Sequence, residues 1–586
     1  MADGDRPDSD EWHLGFEPGS EHTELAATAE LAQPSHDDLS RIRLNRPMFV
    51  VTAEHLGWLL VAIYAIASRL LELGARPLTP LEARAALVEF ALSRAVPAAM
   101  ESASAASISW VQIAQAAVFT GFGANDLTAR LVASLCGLLL IAASFAIRPY
   151  LGRAGALALA ALLVLSPGVT WFSRNGLNTV PAVAFAFASV GIFLTMRHRA
   201  NTPRALGLGC AIGVSLAAGP AGLAMFTTIA LALIGLGIAD AISGDHTWLR
   251  IRVWWVRRRR IAIAAASVAI VIWILLGTSF FSRSLPELIL GDVRAIFAGP
   301  APGFHAGAMY YLPMLGFYEF MIVILALVGA VAVLGRKVRS SLALWSFFWA
   351  VIGVVFYLWV PGRRPEWIVQ MIVPAAMLAC FGIGWLHHLP TWNIARYAIA
   401  IVAVTTLYVQ VMVNFVYPAP DSSEPPWARH ALLFWSEPAT SIQTPGECAH
   451  ALESIPPDGA AMLPDGAPVM AWYLRGLSRT QDKANANLIA SAAIAAMSAS
   501  SSDQETYQFG IEESWSPDLR SIGARQAARF FFTSRPWNPV NLRDVEIQVR
   551  AEKSRPTVIV TPGANPASET RSPDNAPGSG PRHDSK

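Results

Sequence analysis

The sequence predicts an α-helical polytopic membrane protein of about 11 transmembrane helices, carrying a small extracytoplasmic α/β domain on its C-terminal side. Three observations predict it. Apolar stretches of bilayer-crossing length recur between residues 47 and 417. The composition is 54% hydrophobic and 15% charged, with mean hydropathy +0.42, far too apolar for a soluble chain of 586 residues. Finally, the basic residues of the connections collect on alternate connections, which gives the spans a direction. The net charge of +2 excludes no class of partner, because acidic and basic residues are segregated along the chain.

Taken in order, residues 1–46 hold eleven Asp or Glu against four Arg and read as a disordered acidic cytoplasmic tail. This tail has neither the basic start nor the short apolar core of a cleaved signal peptide, so the first span is expected to stay as an anchor. Arg41, Arg43 and Arg46 directly precede that span, 47–71, and place the N-terminus in the cytoplasm. A second span at 128–147 returns the chain to a basic turn, Arg148 to Arg153. Spans at 155–173 and 180–196 return it at Arg197, Arg199 and Arg204. Spans at 206–220 and 222–241 lead to Arg250, Arg252 and the run Arg257 to Arg260, and spans at 261–281 and 317–334 to Arg336, Lys337 and Arg339. The pair 342–360 and 367–386 ends near Arg396, and a last span at 397–416 leaves everything after Tyr417 outside. This order defines a multi-pass protein of the plasma membrane with a cytoplasmic N-terminus and an extracytoplasmic C-terminal domain.

Ile108 to Phe122 is apolar but short for a span of about 20 residues, and counting it would move Arg148 and Arg153 to the wrong side. It reads as an interfacial helix within a first external loop, 72–127. A second external loop covers 282–316. Residues 418–560 turn Pro-, Ser- and charge-rich, with short apolar runs such as Ala460 to Leu463 and Phe530 to Thr533 between Ala-rich stretches, the pattern of a small α/β domain. Residues 561–586 read as a disordered tail. Cys136, Cys210 and Cys380 fall in apolar spans and Cys448 alone outside them, so neither a disulfide framework outside the membrane nor a thiolate metal site is expected.

Chemistry is expected in external loops and at span ends, since polar groups within the membrane are costly unless they line a cavity. The first loop carries Arg76, Glu82 and Arg84, residue types that are more often ordinary solvated charge. Trp171 to Thr179 follows the third span, where aromatics also mark an interface. His305, Tyr310, Tyr311, Tyr318 and Glu319 surround the start of a span, and a lone His there is more often structural. The turn Pro361-Gly-Arg363-Arg364-Pro-Glu366-Trp367 is the one compact basic connection on the external side. An external Arg pair fits the holding of a phosphate or carboxylate, or snorkelling to anionic head groups.

The ordered set Leu81-Glu82, Phe122-Gly-Ala-Asn-Asp126-Leu-Thr-Ala-Arg130, Arg148-Pro-Tyr-Leu-Gly-Arg153 and Leu165-Ser-Pro-Gly-Val-Thr-Trp-Phe-Ser-Arg174 resembles the GT-C glycosyltransferases. These are the polyprenol-dependent group that includes the protein mannosyltransferases and aminoarabinose transferases. Within it the chain is similar to the branch of flippase-activity-associated, protein-mannosyltransferase-like membrane proteins, where Tyr310-Tyr311, Tyr318-Glu319, Gly362 to Trp367 and Trp472-Tyr-Leu-Arg475 also have look-alikes. The resemblance covers residues 47–535.

It implies transfer of a sugar from a polyprenyl-phosphate carrier to a lipid, glycan or protein acceptor on the outer face of the membrane, in cell-envelope assembly, with no nucleic acid involved. Glu82 is then the candidate catalytic base. Arg363 and Arg364 are candidate ligands of the carrier phosphate, and Tyr310, Tyr311, Glu319, Arg174 and Asn178 are candidate substrate-binding residues. No cofactor is firmly implied; a divalent cation is the one left open, with no metal-ligand set assigned. The family usually shows Asp-Glu where this chain has Leu81-Glu82, and Arg-Asn-Asp where it has Leu177-Asn178-Thr179. Asp126 aligns with a helix-capping position and reads as a cap. The alternative reading is a relative that has lost catalysis but binds the lipid carrier and assists envelope glycan assembly or export; a transporter is a third.

Overall fold

The computed structural model describes residues 52–76, 78–94, 108–198, 201–243, 258–280, 284–298 and 308–416, with residues 253 and 256 and shorter stretches between 436 and 562. The predicted acidic tail, His305 and the chain beyond 562 lie outside the described residues.

Helix α1, Ala53–Leu70, begins where Thr52 and His55 cap one another reciprocally. Two helices occupy the predicted first external loop: α2, Pro80–Ser93, and α3, Trp110–Phe122. With 13 residues, α3 is about 20 Å long, short of a hydrocarbon core of about 30 Å. Then follow α4 Leu131–Ala143, α5 Arg148–Leu165, α6 Pro167–Ser173, α7 Thr179–His198, α8 Thr202–Leu216, α9 Pro220–Ser243 and α10 Arg259–Gly277. An amphipathic helix, α11 Leu285–Phe297, lies within the predicted second loop. After it come α12 Tyr311–Tyr318, α13 Phe320–Leu334, α14 Ser341–Trp359, α15 Ile368–His387 and α16 Trp392–Val411, which runs on as a π turn to Val416.

A helix stands at each predicted span. Among the described residues seven are long and apolar enough to cross a membrane, or eight when the bent pair α12–α13 counts as one span. The predicted second and third spans form one candidate, Thr128–Leu165, interrupted where Gly152 takes φ +72°. Two spans differ from expectation at breaks. The predicted 155–173 span is cut after Leu165, because Pro167 supplies no N–H to continue the helix and the Ser166 hydroxyl caps α6 by accepting from Val169 N–H. The predicted 317–334 span is a bent pair, α12 and α13 meeting at 98° around Glu319.

Large apolar side chains stay exposed in stripes: Leu56, Leu59, Leu60 and Ile63 on α1, and Ile394, Ile401 and Val404 on α16. Their three-, four- and seven-residue spacing keeps each set on one helix face, as acyl chains require and water does not tolerate. The protein is thus a multi-pass helical membrane protein. Inward, Phe187, Tyr311, Trp349, Tyr357 and Trp367 are fully buried in a core shared by α4, α5, α7 and α12 to α15. Hydrophobicity does not hold spans together in lipid, so close approach must. Gly209 and Gly213, one turn apart on α8, provide it: a Cβ on either would collide with the carbonyl oxygens of Ala265 or Ala269 on α10.

Contacts also test which connections share an end of the bundle. Glu54, at the start of α1, lies 2.8 Å from Arg148 and 3.6 Å from Arg153. The Tyr150 hydroxyl donates to Leu194 O near the end of α7 at 2.7 Å. The start of α1, the Arg148–Arg153 turn and the end of α7 therefore sit together, as the alternation of basic residues required.

Beyond residue 435 the described elements are two short helices, α17 Pro468–Tyr473 and α18 Ala524–Thr533, and seven strands, which begin with β1 Ser436–Glu437, β2 Ala460–Met462, β3 Ser478–Arg479 and β4 Leu488–Ala492. The strands join in one sheet of order β1-β5-β6-β4-β2-β3 with β7 beside β6; its longest pairings, β5 Gln504–Ser514 and β7 Arg555–Pro562 on β6 Asn541–Glu552, are antiparallel. The last two residues of β7 fall within the predicted 561–586 tail.

Candidate functional site

The first loop contributes Glu82, and the way α2 begins places it. Thr79 and Glu82 cap each other: Glu82 N–H donates to the Thr79 hydroxyl, and Thr79 N–H to Glu82 Oε2 at 2.9 Å. Pro80 at the first helical position suits the missing donor there. The carboxylate so aimed meets Arg130, whose Nε donates to Oε1 at 2.8 Å and Nη2 to Oε2 at 3.2 Å. Such a two-pronged pair is the strong form of a charged hydrogen bond. Gly176 N–H adds a bond to Oε1 at 3.1 Å, and Arg76 Nη2 lies 3.5 Å from Oε2. Arg130 spends its other donor on Leu73 O and Arg76 O, while Arg76 donates to Asn175 Oδ1 at 2.6 Å and stacks 3.8 Å over the Trp171 ring.

Burial by itself would raise the proton affinity of Glu82; the Arg130 and Arg76 charges and the Arg130 and Thr79 hydrogen bonds outweigh it and lower the pKa to about 2. Both the carboxylate and Arg130 are 1% exposed. A saturated, weakly basic carboxylate orders the loops around it; it is poorly placed to accept a substrate proton.

Seven residues further along the same face of α2, Glu89 is also buried, yet has no hydrogen bond or ion pair among the described residues. Burial, reinforced by the Glu82 charge, pushes its pKa well up and favours the neutral acid. Arg174 closes the far end of α1, donating to Ser68 O, Leu71 O and Glu72 O, where the helix dipole favours a cation. Asn178 stands just before α7, its carbonyl accepting from Ala182 N–H.

A second group forms at the turn after α14. The Tyr311 hydroxyl donates to Arg364 O at 2.7 Å and accepts from Arg364 N–H at 3.1 Å, so one phenol fixes the backbone of the arginine pair. Tyr310 and Tyr311 stack edge-on at 6.0 Å, and Gly362 N–H donates to Ile296 O at 3.0 Å. Both arginine side chains remain partly exposed, and Arg363 Nε is buried without a partner among the described residues. The arrangement offers guanidinium donors at a span end, fitted to an anion.

Glu319 belongs to neither group. It sits at the α12–α13 bend, 1% exposed, and its Oε1 accepts from the Ser166 hydroxyl at 2.7 Å and Gly168 N–H at 2.8 Å. Two breaks, one in each of two helices, are thereby tied together. Nearby, Gln410 donates to Val164 O and Thr170 Oγ1 while accepting from the Tyr64 hydroxyl.

The predicted residues thus fall in three places: Glu82 with the loop that Arg174 also holds, Tyr310 and Tyr311 with Arg363 and Arg364, and Glu319 at the helix breaks. Asp126 corrects an expectation. Asn125 and Thr128 cap one another at that turn, while the Asp126 carboxylate accepts from Trp472 Nε1 at 2.8 Å and the Tyr473 hydroxyl at 2.6 Å. Arg130, Asn175 and Glu89 carried no assigned role; the seven-residue spacing of Glu82 and Glu89 was the readable signal for the last. Among the described residues no three His, Cys, Asp or Glu side chains converge, so the donor set does not fit a divalent cation.

No protein-family model matches the chain, and no curated protein matches it. Among solved structures it is similar to ArnT from Cupriavidus metallidurans bound to undecaprenyl phosphate, at TM-score 0.50 and 17% identity over 72% of this chain and 86% of that one. The apo state of the same protein matches at TM-score 0.47 and 15% identity, over 73% and 86% of the two chains. The Archaeoglobus fulgidus oligosaccharyltransferase, in complex with zinc and sulfate, matches at TM-score 0.37 and 12% identity, over 62% and 53%. The likeness to the undecaprenyl-phosphate complex shows a shared fold.

Proposed function

We propose that the protein is a polyprenyl-phosphate-dependent membrane glycosyltransferase, moving a sugar from its lipid carrier to a lipid, glycan or protein acceptor on the outer face of the plasma membrane. The observation that carries this reading is the Arg363–Arg364 turn, fixed by Tyr311 at a span end, in a fold shared with a protein bound to undecaprenyl phosphate. The arginines would hold the carrier phosphate by charged hydrogen bonds, and Tyr310 and Tyr311 would wall the adjoining space, while Glu319 would tie together the two helix breaks. Arg174 and Asn178 would shape the loop end that faces the acceptor. Glu82 enters as a positioning group, its carboxylate already filled. In this reading the N-terminus is cytoplasmic and the C-terminal domain, 418–560, lies outside.

A second reading has specific support. With Leu81 and Thr179 at the usual Asp positions and Glu82 saturated, a relative that binds the carrier and assists envelope glycan assembly without transfer fits the same geometry.

Purified protein in nanodiscs, given a radiolabelled polyprenyl-phosphate sugar and membrane-derived acceptors, separates the readings. Release of label from the carrier, lost in Arg364→Ala, supports transfer. Carrier binding weakened at least tenfold by Arg364→Ala, with no release, supports the binder. Absence of binding defeats both.

A further inference from the structure

The Glu82 centre has no open approach. Glu82 and Arg130 are 1% exposed and Asn175 4%, so any polar group that reaches them needs a wall to move. Most walls are spans or loops continuous with spans. One is different: the segment α17 with Arg475, drawn from far along the chain, which packs on Leu78, Ala83 and Ala129 beside these residues.

This segment is held by side chains. Trp472 is fully buried against Phe90 and Phe119, with ring centroids 6.4 and 5.8 Å away. Its Nε1 and the Tyr473 hydroxyl both donate to Asp126, and Tyr473 also accepts from Leu78 N–H at 3.2 Å. Arg475 donates to Ala124 O and lies 4.0 Å over the Trp472 ring. Leu78 precedes the Thr79–Glu82 cap; Asp126 lies four residues before Arg130. The segment therefore pins both ends of the first loop at the points from which Glu82 and Arg130 are aimed. A six-residue helix is far too short to persist alone, so its folding and its docking are one event.

We infer that Pro468–Tyr473, with Arg475, is a strap that closes the Glu82–Arg130 centre, fastened to Asp126, and that its release admits the polar head of a ligand to the first loop. The inference rests on the carrier-binding reading for the ligand but not for the motion. Release breaks the Asp126, Leu78 and Ala124 contacts together and exposes the α2 face bearing Ala83, Ala86 and Phe90.

Hydrogen exchange of the full chain in nanodiscs tests the motion. Amides of 469–473 and 78–90 are expected to exchange together, at least tenfold faster than those of α7, and faster again in Tyr473→Phe, which removes two bonds without a cavity. Exchange of the strap only at the rate of α7, or an unchanged rate in Tyr473→Phe and Trp472→Ala alike, overturns the strap. Association of a polyprenyl-phosphate sugar, whose phosphate the Arg363–Arg364 turn would hold while its sugar enters the first loop, tests the gate: Tyr473→Phe is expected to speed association at least threefold. Slower association in a variant whose strap opens more readily overturns gating. If wild-type protein binds no carrier, the functional reading and the gate's ligand fail, while the exchange data still decide the strap.

Discussion

Glu82 and Glu319 are both carboxylates with 1% exposure, and their surroundings could hardly differ more. At the loop end Glu82 meets two guanidinium groups and two backbone N–H groups, filling both oxygens. At the helix breaks Glu319 has one hydroxyl and one backbone N–H on a single oxygen, and Oε2 has no partner among the described residues. The loop end is built as an ion pair, in which removing one member strands the other. The break is built as a hydrogen-bond bridge between two interrupted helices, for which an uncharged amide serves nearly as well.

The largest way to break the contrast is Arg130→Ala, which leaves the buried Glu82 without its two-pronged partner and with only the longer Arg76 contact at 3.5 Å; a loss of about 3–5 kcal/mol in detergent unfolding is expected. A loss below about 1 kcal/mol would mean that Arg76 alone suffices. Next comes acid. The folded pKa of Glu82 lies below its ordinary value of 4.5, so its stabilisation is complete above that value and is lost as pH falls toward about 2. The swing is worth about 3 kcal/mol. Stability should therefore fall between pH 4.5 and about 2, and Glu82→Gln should flatten that part of the profile; an equally steep profile in the variant assigns the loss to other carboxyls. Third, Gly176→Ala places a Cβ 2.5 Å from Ala129 O and displaces the amide that serves Glu82, at an expected cost of about 2 kcal/mol. Thermal melts indistinguishable from wild type would show that the 175–178 turn yields freely. Smallest is Glu319→Gln, expected to change stability by less than about 1 kcal/mol in the same melts. A loss as large as that of Arg130→Ala would erase the distinction between the two sites.

The helical membrane fold was legible because bilayer length is a local signal, and the charge alternation put Glu54, Arg148 and Arg153 at one end of the bundle, where they meet. The helix breaks were partly legible. Ser166-Pro167-Gly168 carries a cap and a breaker in plain view, whereas the Pro and Gly nearest the bend at Glu319, Pro313 and Gly316, lie inside α12 and not at the break. At the site, Tyr311 and Arg364 were both named from sequence, but not their bond, which joins residues 53 apart. Glu82 was named without its partner Arg130, 48 positions away, because an ion pair at that distance leaves no periodic trace. Asp126 looked like a cap since Asp caps helices often; its real partners, Trp472 and Tyr473, lie 346 and 347 residues on.

Glu54 offers a last consequence, for how the chain is made. A ribosome delivers the first span 94 residues before Arg148 emerges, and Arg153 later still. Throughout that interval the carboxylate at the head of the first span waits without its clasp. Once the 148–153 turn arrives, Arg148 and Arg153 close on it and the first described helix is joined to the bundle. Nascent chains arrested before residue 148 are thus the stage at which the first helix is most open to degradation or reorientation.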